Sequence, residues 1–255
     1  MFEYYLAEPA VNPVTIKVAE ANGEVIKEFT SDPEDIQSPS TKAGMNRFFW
    51  DMRYPGTEMP MLSGALDAFS SVDWIGANYA LPTAPLAQPG KYRVRLMVDG
   101  ETREQPFEIR MDPRIKASDE DLKAQFDLMV DIRDLAAEVV DTLLRIREAR
   151  RGVEDVRIEL QEESSDEADA ILKELRQIEG LLMVWAGSEA HPMMFSPPGL
   201  TEKLNSLSNA VSGGDARPTV SMYAVFEDLQ SSFESQKIRL NDLVEQKLTP
   251  MLSGQ

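Results

Sequence analysis

The sequence offers few side chains from which a catalytic or metal site could be built. It contains no cysteine and one histidine, His191. Thiolate metal sites and cysteine nucleophiles are therefore excluded, and a Ser-His-Asp triad or multi-histidine site lacks the partners it needs. For His191, within residues 189–194, we expect a surface or loop-packing role rather than metal ligation. The sequence predicts no metal and no cofactor.

Carboxylates, by contrast, are abundant, with 44 acidic residues against 26 basic ones. The acidic runs at 31–35 and 162–167 carry oxygens that calcium prefers, but neither has the EF-hand spacing. A solvated turn and a helix N-terminus are the expected structures there. A pair of carboxylates could serve glycoside hydrolysis, yet among so many acids the proximity of two is not specific. The sequence also lacks the glycine-rich phosphate-binding motifs and the G-x-S-x-G nucleophile motif.

The net charge of −18 disfavours two classes of partner. Nucleic acids and anionic membrane surfaces both select proteins with a basic face. No segment approaches the roughly 18 to 20 apolar residues that span a bilayer, so no membrane insertion is predicted. The first residues lack the basic region of a signal peptide, and the chain as given is predicted to be soluble without an export signal. A domain of a longer exported protein would look the same, so the compartment stays open.

The N-terminal part has the two-residue period of half-buried strands. Apolar residues alternate over 14–18 and return at 25–29, with Asn22 and Gly23 between the two runs. Asn-Gly at such a position predicts a hairpin with a type I′ turn, in which both central residues have positive φ.

A second hairpin is predicted around Asp99 and Gly100, where strands 92–98 and 107–109 meet. Residues 47–51 form a further, aromatic strand candidate. Several short strands joined by turns indicate a small antiparallel β-sandwich.

The C-terminal part has the period of amphipathic helices. Ser118 followed by Asp121 predicts a helix start that resembles a capping box. Apolar residues then recur every three or four positions in four stripes, at 122–146, 168–185, 200–211 and 226–248. Gly152 is expected to bend the first helix, and Pro250 to end the last one. Four stripes with short connections indicate an antiparallel four-helix bundle.

The two patterns meet near Pro113, which predicts a β domain at 1–112 and a helical domain at 113–255. The segment 56–89 is long for a sandwich connection and contains Trp74 and Tyr79. It is expected either to pack its aromatic side chains over the domain or to form a docking surface for a neighbouring domain. Trp74 and Tyr79 are accordingly candidate interface residues.

Two motifs in the β part carry a resemblance to a known domain. G-x-N-x-x-x-W-D spans 44–51, and P-G-x-Y-x-V-x-L spans 89–96. Following the first hairpin, they resemble the immunoglobulin-like domain of the flagellar hook-cap type. The resemblance implies structural roles in the sandwich for Trp50, Asp51, Gly90 and Tyr92. Trp50 would pack in the core, and Gly90 would permit the turn into the strand of Tyr92.

A wider pattern resembles the C-terminal region of large bacterial proteins with BNR/sortilin-like (VPS10-type) β-propellers, often labelled glycosyl hydrolase-like. It comprises residues 4–6, 46–53, 112–114 and 217–219. These motif residues are structural, so the resemblance implies no catalytic residue and leaves enzyme activity uncertain. It implies a non-catalytic accessory region whose partner is the neighbouring propeller or another protein. The parent protein would be extracytoplasmic, either periplasmic or secreted.

Two alternative functions stay open at this point. A glycoside hydrolase-associated module would contribute to carbohydrate binding through the segment 56–89. A self-associating helical adaptor would use the apolar stripes in an intermolecular coiled coil. The sequence does not distinguish an apolar stripe that packs within the chain's own bundle from one that binds a helix of another chain.

Overall fold

The computed structural model describes residues 1–31, 37–58, 81–159, 166–183 and 197–253. The chain divides into two compact units. The strand unit comprises Met1–Gly56, Ala84–Phe126 and Asp215–Arg217. The helical unit comprises Thr57–Thr83, Asp127–Gly214 and Pro218–Gln255. The predicted domain boundary at residue 112 differs from this division into units and stays a prediction.

The described residues of the strand unit form six antiparallel strands: β1 (Phe2–Leu6), β2 (Thr15–Glu20), β3 (Val25–Thr30), β4 (Gly44–Phe48), β5 (Gly90–Val98) and β6 (Glu101–Ile109). They form a two-stranded sheet, β1-β4, and a four-stranded sheet in the order β3-β2-β5-β6. The predicted antiparallel β structure of the N-terminal part is therefore confirmed. The predicted aromatic strand at 47–51 ends earlier than expected, because β4 stops at Phe48.

One apolar core draws on both sheets, and in β1, β2 and β4 the buried side chains alternate with less buried ones. Along β1, for example, Tyr4 and Leu6 are buried while Glu3 and Tyr5 are exposed. The buried members of this core are Tyr4, Leu6, Val14, Ile16, Val18, Ile26, Phe29, Phe48, Trp50, Ala87 and Tyr92.

The two hairpin turns differ from each other. Asp99 and Gly100 both have positive φ, 48° and 86°, and the flanking residues pair directly, as a type I′ turn requires. The type I′ prediction for Asn22 and Gly23 is wrong. Asn22 is not among the positive-φ residues of the described chain, and the Gly23 amide donates to the Glu20 carbonyl. This turn is one residue longer, and Gly23 alone takes the left-handed conformation. The pairing passes from Val18–Lys27 to Ala19–Val25, so the extra residue of the nearby bulge lies on β3.

The helices are α1 (Asp119–Glu159), α2 (Asp166–Leu182), α3 (Leu200–Val211), α4 (Val220–Leu243) and α5 (Thr249–Ser253). The predicted capping box is confirmed: the Asp121 amide donates to Ser118 Oγ, and the Ser118 amide donates to Asp121 Oδ2. Helix α1 continues through Gly152. The unit boundary falls within α1, after Phe126.

The end of the last helix differs from the prediction. A π-helical turn, Val244–Leu248, follows α4, and Pro250 lies in the first turn of α5 instead of ending the helix.

The helical unit has its own core, built from the predicted stripes. Side chains of α1, α2, α3 and α4 form one buried cluster that includes Ile132, Leu175, Leu204 and Phe233. Helix and strand thus occupy separate parts of the chain. Across the described ranges, no helix combines the length and the apolarity needed to cross a bilayer.

Candidate functional site

Two of the residues that carry the resemblance, Trp50 and Tyr92, meet in a cluster that we call the aromatic corner, which also contains Phe2 and Phe107. The Trp50 and Tyr92 rings lie 6.3 Å apart, edge to face. Phe107 stacks on Tyr92 at 5.6 Å and meets Trp50 at 6.2 Å. Phe2 closes the cluster at 5.2 Å from Phe107. Edge-to-face pairs of this kind each add roughly 0.5–1.5 kcal/mol beyond the burial of their area.

A tight turn after β4 positions Trp50. The indole Nε1 donates to the Arg53 carbonyl at 3.0 Å, and the Arg53 amide donates to Asp51 Oδ1 at 3.1 Å. Met52 lies between them with a φ of 59°, which is uncommon for a residue other than glycine. Asp51 therefore contacts the backbone of the turn that holds the indole.

Tyr92 is held at the start of β5. Its hydroxyl donates to the Gln88 carbonyl at 2.7 Å, so the ring folds back over the segment that leads into the strand. Gly90 has a φ of 158°, a conformation that side chains rarely adopt. Glycine is therefore suited to this entry into the strand.

A polar group borders the aromatic corner. The Tyr54 hydroxyl donates to Glu20 Oε1 at 2.6 Å, and the Tyr54 ring packs on Phe126. Burial and then this hydrogen bond raise the pKa of Tyr54 well above its ordinary value. Burial, followed by the Glu20 charge, also raises the pKa of Tyr92. Both hydroxyls therefore stay protonated at neutral pH and act as hydrogen-bond donors rather than as bases or nucleophiles.

Charged side chains in the helical unit join helices to one another. Arg150 Nη1 lies 2.8 Å from Glu179 Oε2, and Arg147 Nε lies 4.0 Å from Oε1 of the same buried glutamate. Burial lowers the pKa of Arg147, partly offset by the Glu179 charge. These pairs connect α1 to α2.

A second charged group surrounds an open depression of about 280 Å³ on the helical unit. Glu174 accepts from Arg239 Nε at 3.2 Å and lies 3.5 Å from Lys247 Nζ. Arg239 also donates to Gln177 at 2.9 Å. Glu174 thus contacts both Arg239 and Lys247, which connects α2 to α4 and the turn after it.

Several predicted residues lie outside the described part of the chain. These are Trp74 and Tyr79 with most of the long segment 56–89, His191, and the acidic positions 32–35 and 162–165. Among the residues that the structure does describe, no group of three or more His, Cys, Asp or Glu side chains could hold a metal ion.

Sequence reasoning missed an exposed surface, the outer face, formed by residues 1, 3 and 5 with residues 45, 47 and 49. Four of its large side chains are mostly exposed: Met1 at 63%, Tyr5 at 67%, Met45 at 66% and Phe49 at 64%. Between them Arg47 Nε lies 2.9 Å from Glu3 Oε1. The alternation in residues 1–6 was the available signal, because it places one aromatic residue inward and the next outward.

Comparison with protein-family models, with curated proteins and with solved structures returned no match.

Proposed function

We propose that this chain is a non-catalytic accessory region of a larger bacterial protein with a BNR/sortilin-like β-propeller, serving domain packing or protein interaction. The observation that carries the proposal is the aromatic corner. Trp50 and Tyr92, the motif residues of the resemblance, are buried and hydrogen-bonded to backbone carbonyls. Such residues maintain a fold, as expected if the motifs are structural.

The strand order supports an immunoglobulin-like sandwich as the fold of the strand unit. In such domains strands B and E share one sheet, and strands C, F and G share the other. Here β1 and β4 correspond to B and E, and β2, β5 and β6 to C, F and G. The hydrogen bond from Tyr92 to a carbonyl four residues upstream corresponds to the tyrosine corner at the start of strand F.

The shared core of α1, α2, α3 and α4 supports a four-helix bundle as the fold of the helical unit. The same core bears on the self-associating helical adaptor. The stripes that would form an intermolecular coiled coil are already packed against one another, so self-association through them would require that core to open.

The size of the native polypeptide tests the proposal. An antibody raised to this chain should detect, in extracts of the source cell prepared with protease inhibitors, a band several-fold larger than 28.6 kDa. The purified chain, added to a duplicate extract, is the size control. A single native band at 28.6 kDa would contradict the accessory role.

A glycan-binding panel tests the carbohydrate alternative. The accessory proposal expects no binding by the isolated chain at concentrations up to about 1 mM, where even weak lectin contacts are detected. Binding that is lost in both Trp74→Ala and Tyr79→Ala would favour the glycoside hydrolase-associated module instead.

A further inference from the structure

We infer that the outer face binds a second copy of this chain, forming a symmetric dimer through the sheet β1-β4. The inference goes beyond the accessory role and does not depend on it. It rests on how the exposed side chains of this small sheet are arranged in rows.

The register of the two strands defines these rows. Glu3 is opposite Arg47, and Tyr5 is opposite Met45. At one end of the register, Phe2 pairs with Phe48. Continuing the same antiparallel register by one residue places Met1 beside Phe49. The face therefore has an ion pair at its centre and one methionine next to one aromatic residue on each side.

This pattern is self-complementary about a two-fold axis that runs parallel to the strands. This axis places β1 of one copy opposite β4 of the other. Each row of side chains then faces the same row of the other copy. Glu3 then faces Arg47 of the other copy, and the reverse contact is identical, which gives four alternating charges. Tyr5 of each copy meets Met45 of the other, and Phe49 of each copy meets Met1 of the other, which gives four sulfur–aromatic contacts of a favourable kind.

Charge selects this axis over the other axis in the plane of the interface. A two-fold axis across the strands, through the central row, would set Glu3 against Glu3 and Arg47 against Arg47. Like charges in direct opposition are destabilising, so that arrangement is disfavoured. The outer face thus specifies both its partner and the orientation of that partner.

The size of the face sets the expected affinity. Two five-residue strands extend for about 17 Å, so the buried area falls at the small end of specific interfaces, below roughly 1,200 Å² in total. The net charge of −18 on each copy adds long-range repulsion. We therefore expect a weak dimer, with a dissociation constant between roughly 10 µM and a few hundred µM.

Sedimentation equilibrium of the whole chain tests the inference, from about 10 µM to about 1 mM, the range that a weak dimer spans. Wild type should dimerise in a concentration-dependent way at roughly physiological salt, where long-range repulsion is screened. Glu3→Arg and Arg47→Glu should each weaken the dimer by at least about tenfold, because each places like charges opposite one another. The combined exchange of both residues should restore it.

Mixing the two single variants gives the sharpest result. The Glu3→Arg face is positive and the Arg47→Glu face is negative, so an equimolar mixture should dimerise although neither variant does so alone. Arg103→Glu is the matched control, because Arg103 forms an exposed ion pair with Glu101 on β6, away from this face. It should leave the dimer unchanged, and thermal unfolding checks that all variants fold.

Two results would overturn the inference. One is a wild-type chain that stays monomeric over the whole concentration range. The other is a dimer that both single variants form as well as wild type does, which would locate self-association elsewhere. Neither result bears on the accessory role, which the size of the native polypeptide tests separately.

Discussion

At the scale of single residues, the polar side chains around the strand unit act as fixed hydrogen-bond partners. The hydroxyls of Tyr54 and Tyr92 donate to a carboxylate and to a carbonyl, and burial keeps them protonated. Asp99 accepts from the Asn12 amide at 2.8 Å and from the Val11 amide at 3.2 Å. These contacts join turns and connecting segments to the sheets, which is a structural task.

Replacing Tyr92 with Phe should destabilise the chain by about 1–2 kcal/mol, because the Gln88 carbonyl loses its donor while the ring remains. Urea denaturation followed by intrinsic fluorescence measures the change. Tyr5→Phe is the matched control, since that ring is exposed on the outer face and should change stability by less than about 0.5 kcal/mol. Equal effects of the two substitutions would contradict the role of the corner hydrogen bond.

Asp99 should make stability depend on pH under acidic conditions. The backbone amides of Asn12 and Val11 lower the pKa of Asp99 in the folded state. Its contribution is therefore complete above the unfolded pKa, about 3.9, and is lost as pH falls through the lower folded value. Nuclear magnetic resonance titration should give Asp99 a pKa below that unfolded value.

Asp99→Asn is the companion variant, since asparagine tolerates the positive φ at this position and keeps an acceptor oxygen. Its stability should fall less steeply than that of wild type as pH falls below about 4, the range in which the carboxylate titrates. Identical acid profiles for the two proteins would contradict the assignment.

At the scale of elements, sequence periodicity predicted most of the architecture because burial follows the period of the backbone. The stripe positions Ile132, Leu175 and Leu204 are buried, and the cap at Ser118 has the expected hydrogen bonds. The errors occurred where the outcome depends on one residue in its tertiary context. Asn-Gly is compatible with more than one turn, and Pro250 with either a helix end or a first turn.

The candidate site was predictable in part. The motifs identified Trp50 and Tyr92, but no local pattern encodes the ring contacts with Phe2 and Phe107, which come from different strands. The outer face could be recognised only from the register of β1 with β4, whose paired residues are 38 to 46 positions apart in the sequence. Long-range strand pairing of this kind has no signal in a single sequence.

Ser118→Ala should destabilise α1 by about 1 kcal/mol, because the Asp121 amide loses its capping acceptor. The variant is compared with Ser231→Ala by urea denaturation. Ser231 is exposed within α4, where its Oγ donates to the Glu227 carbonyl. Alanine there should be neutral or stabilising by a few tenths of a kcal/mol. A loss at Ser231 as large as that at Ser118 would argue against the capping assignment.

At the scale of the whole molecule, each of the two compact units has its own apolar core, and the chain carries a net charge of −18. The outer face differs, since it presents large apolar side chains to solvent around one ion pair. The proposed accessory role does not rest on this face but on the buried, hydrogen-bonded motif residues Trp50 and Tyr92.

The most direct measurement of that role is the peptide composition of the native polypeptide. The protein immunoprecipitated from the source cell with an antibody to this chain is separated by size under denaturing conditions and analysed by mass spectrometry. The account predicts one large band. It should contain peptides of this chain together with peptides from the repeated sequence motifs of a β-propeller. A band at 28.6 kDa containing peptides of this chain alone would contradict it.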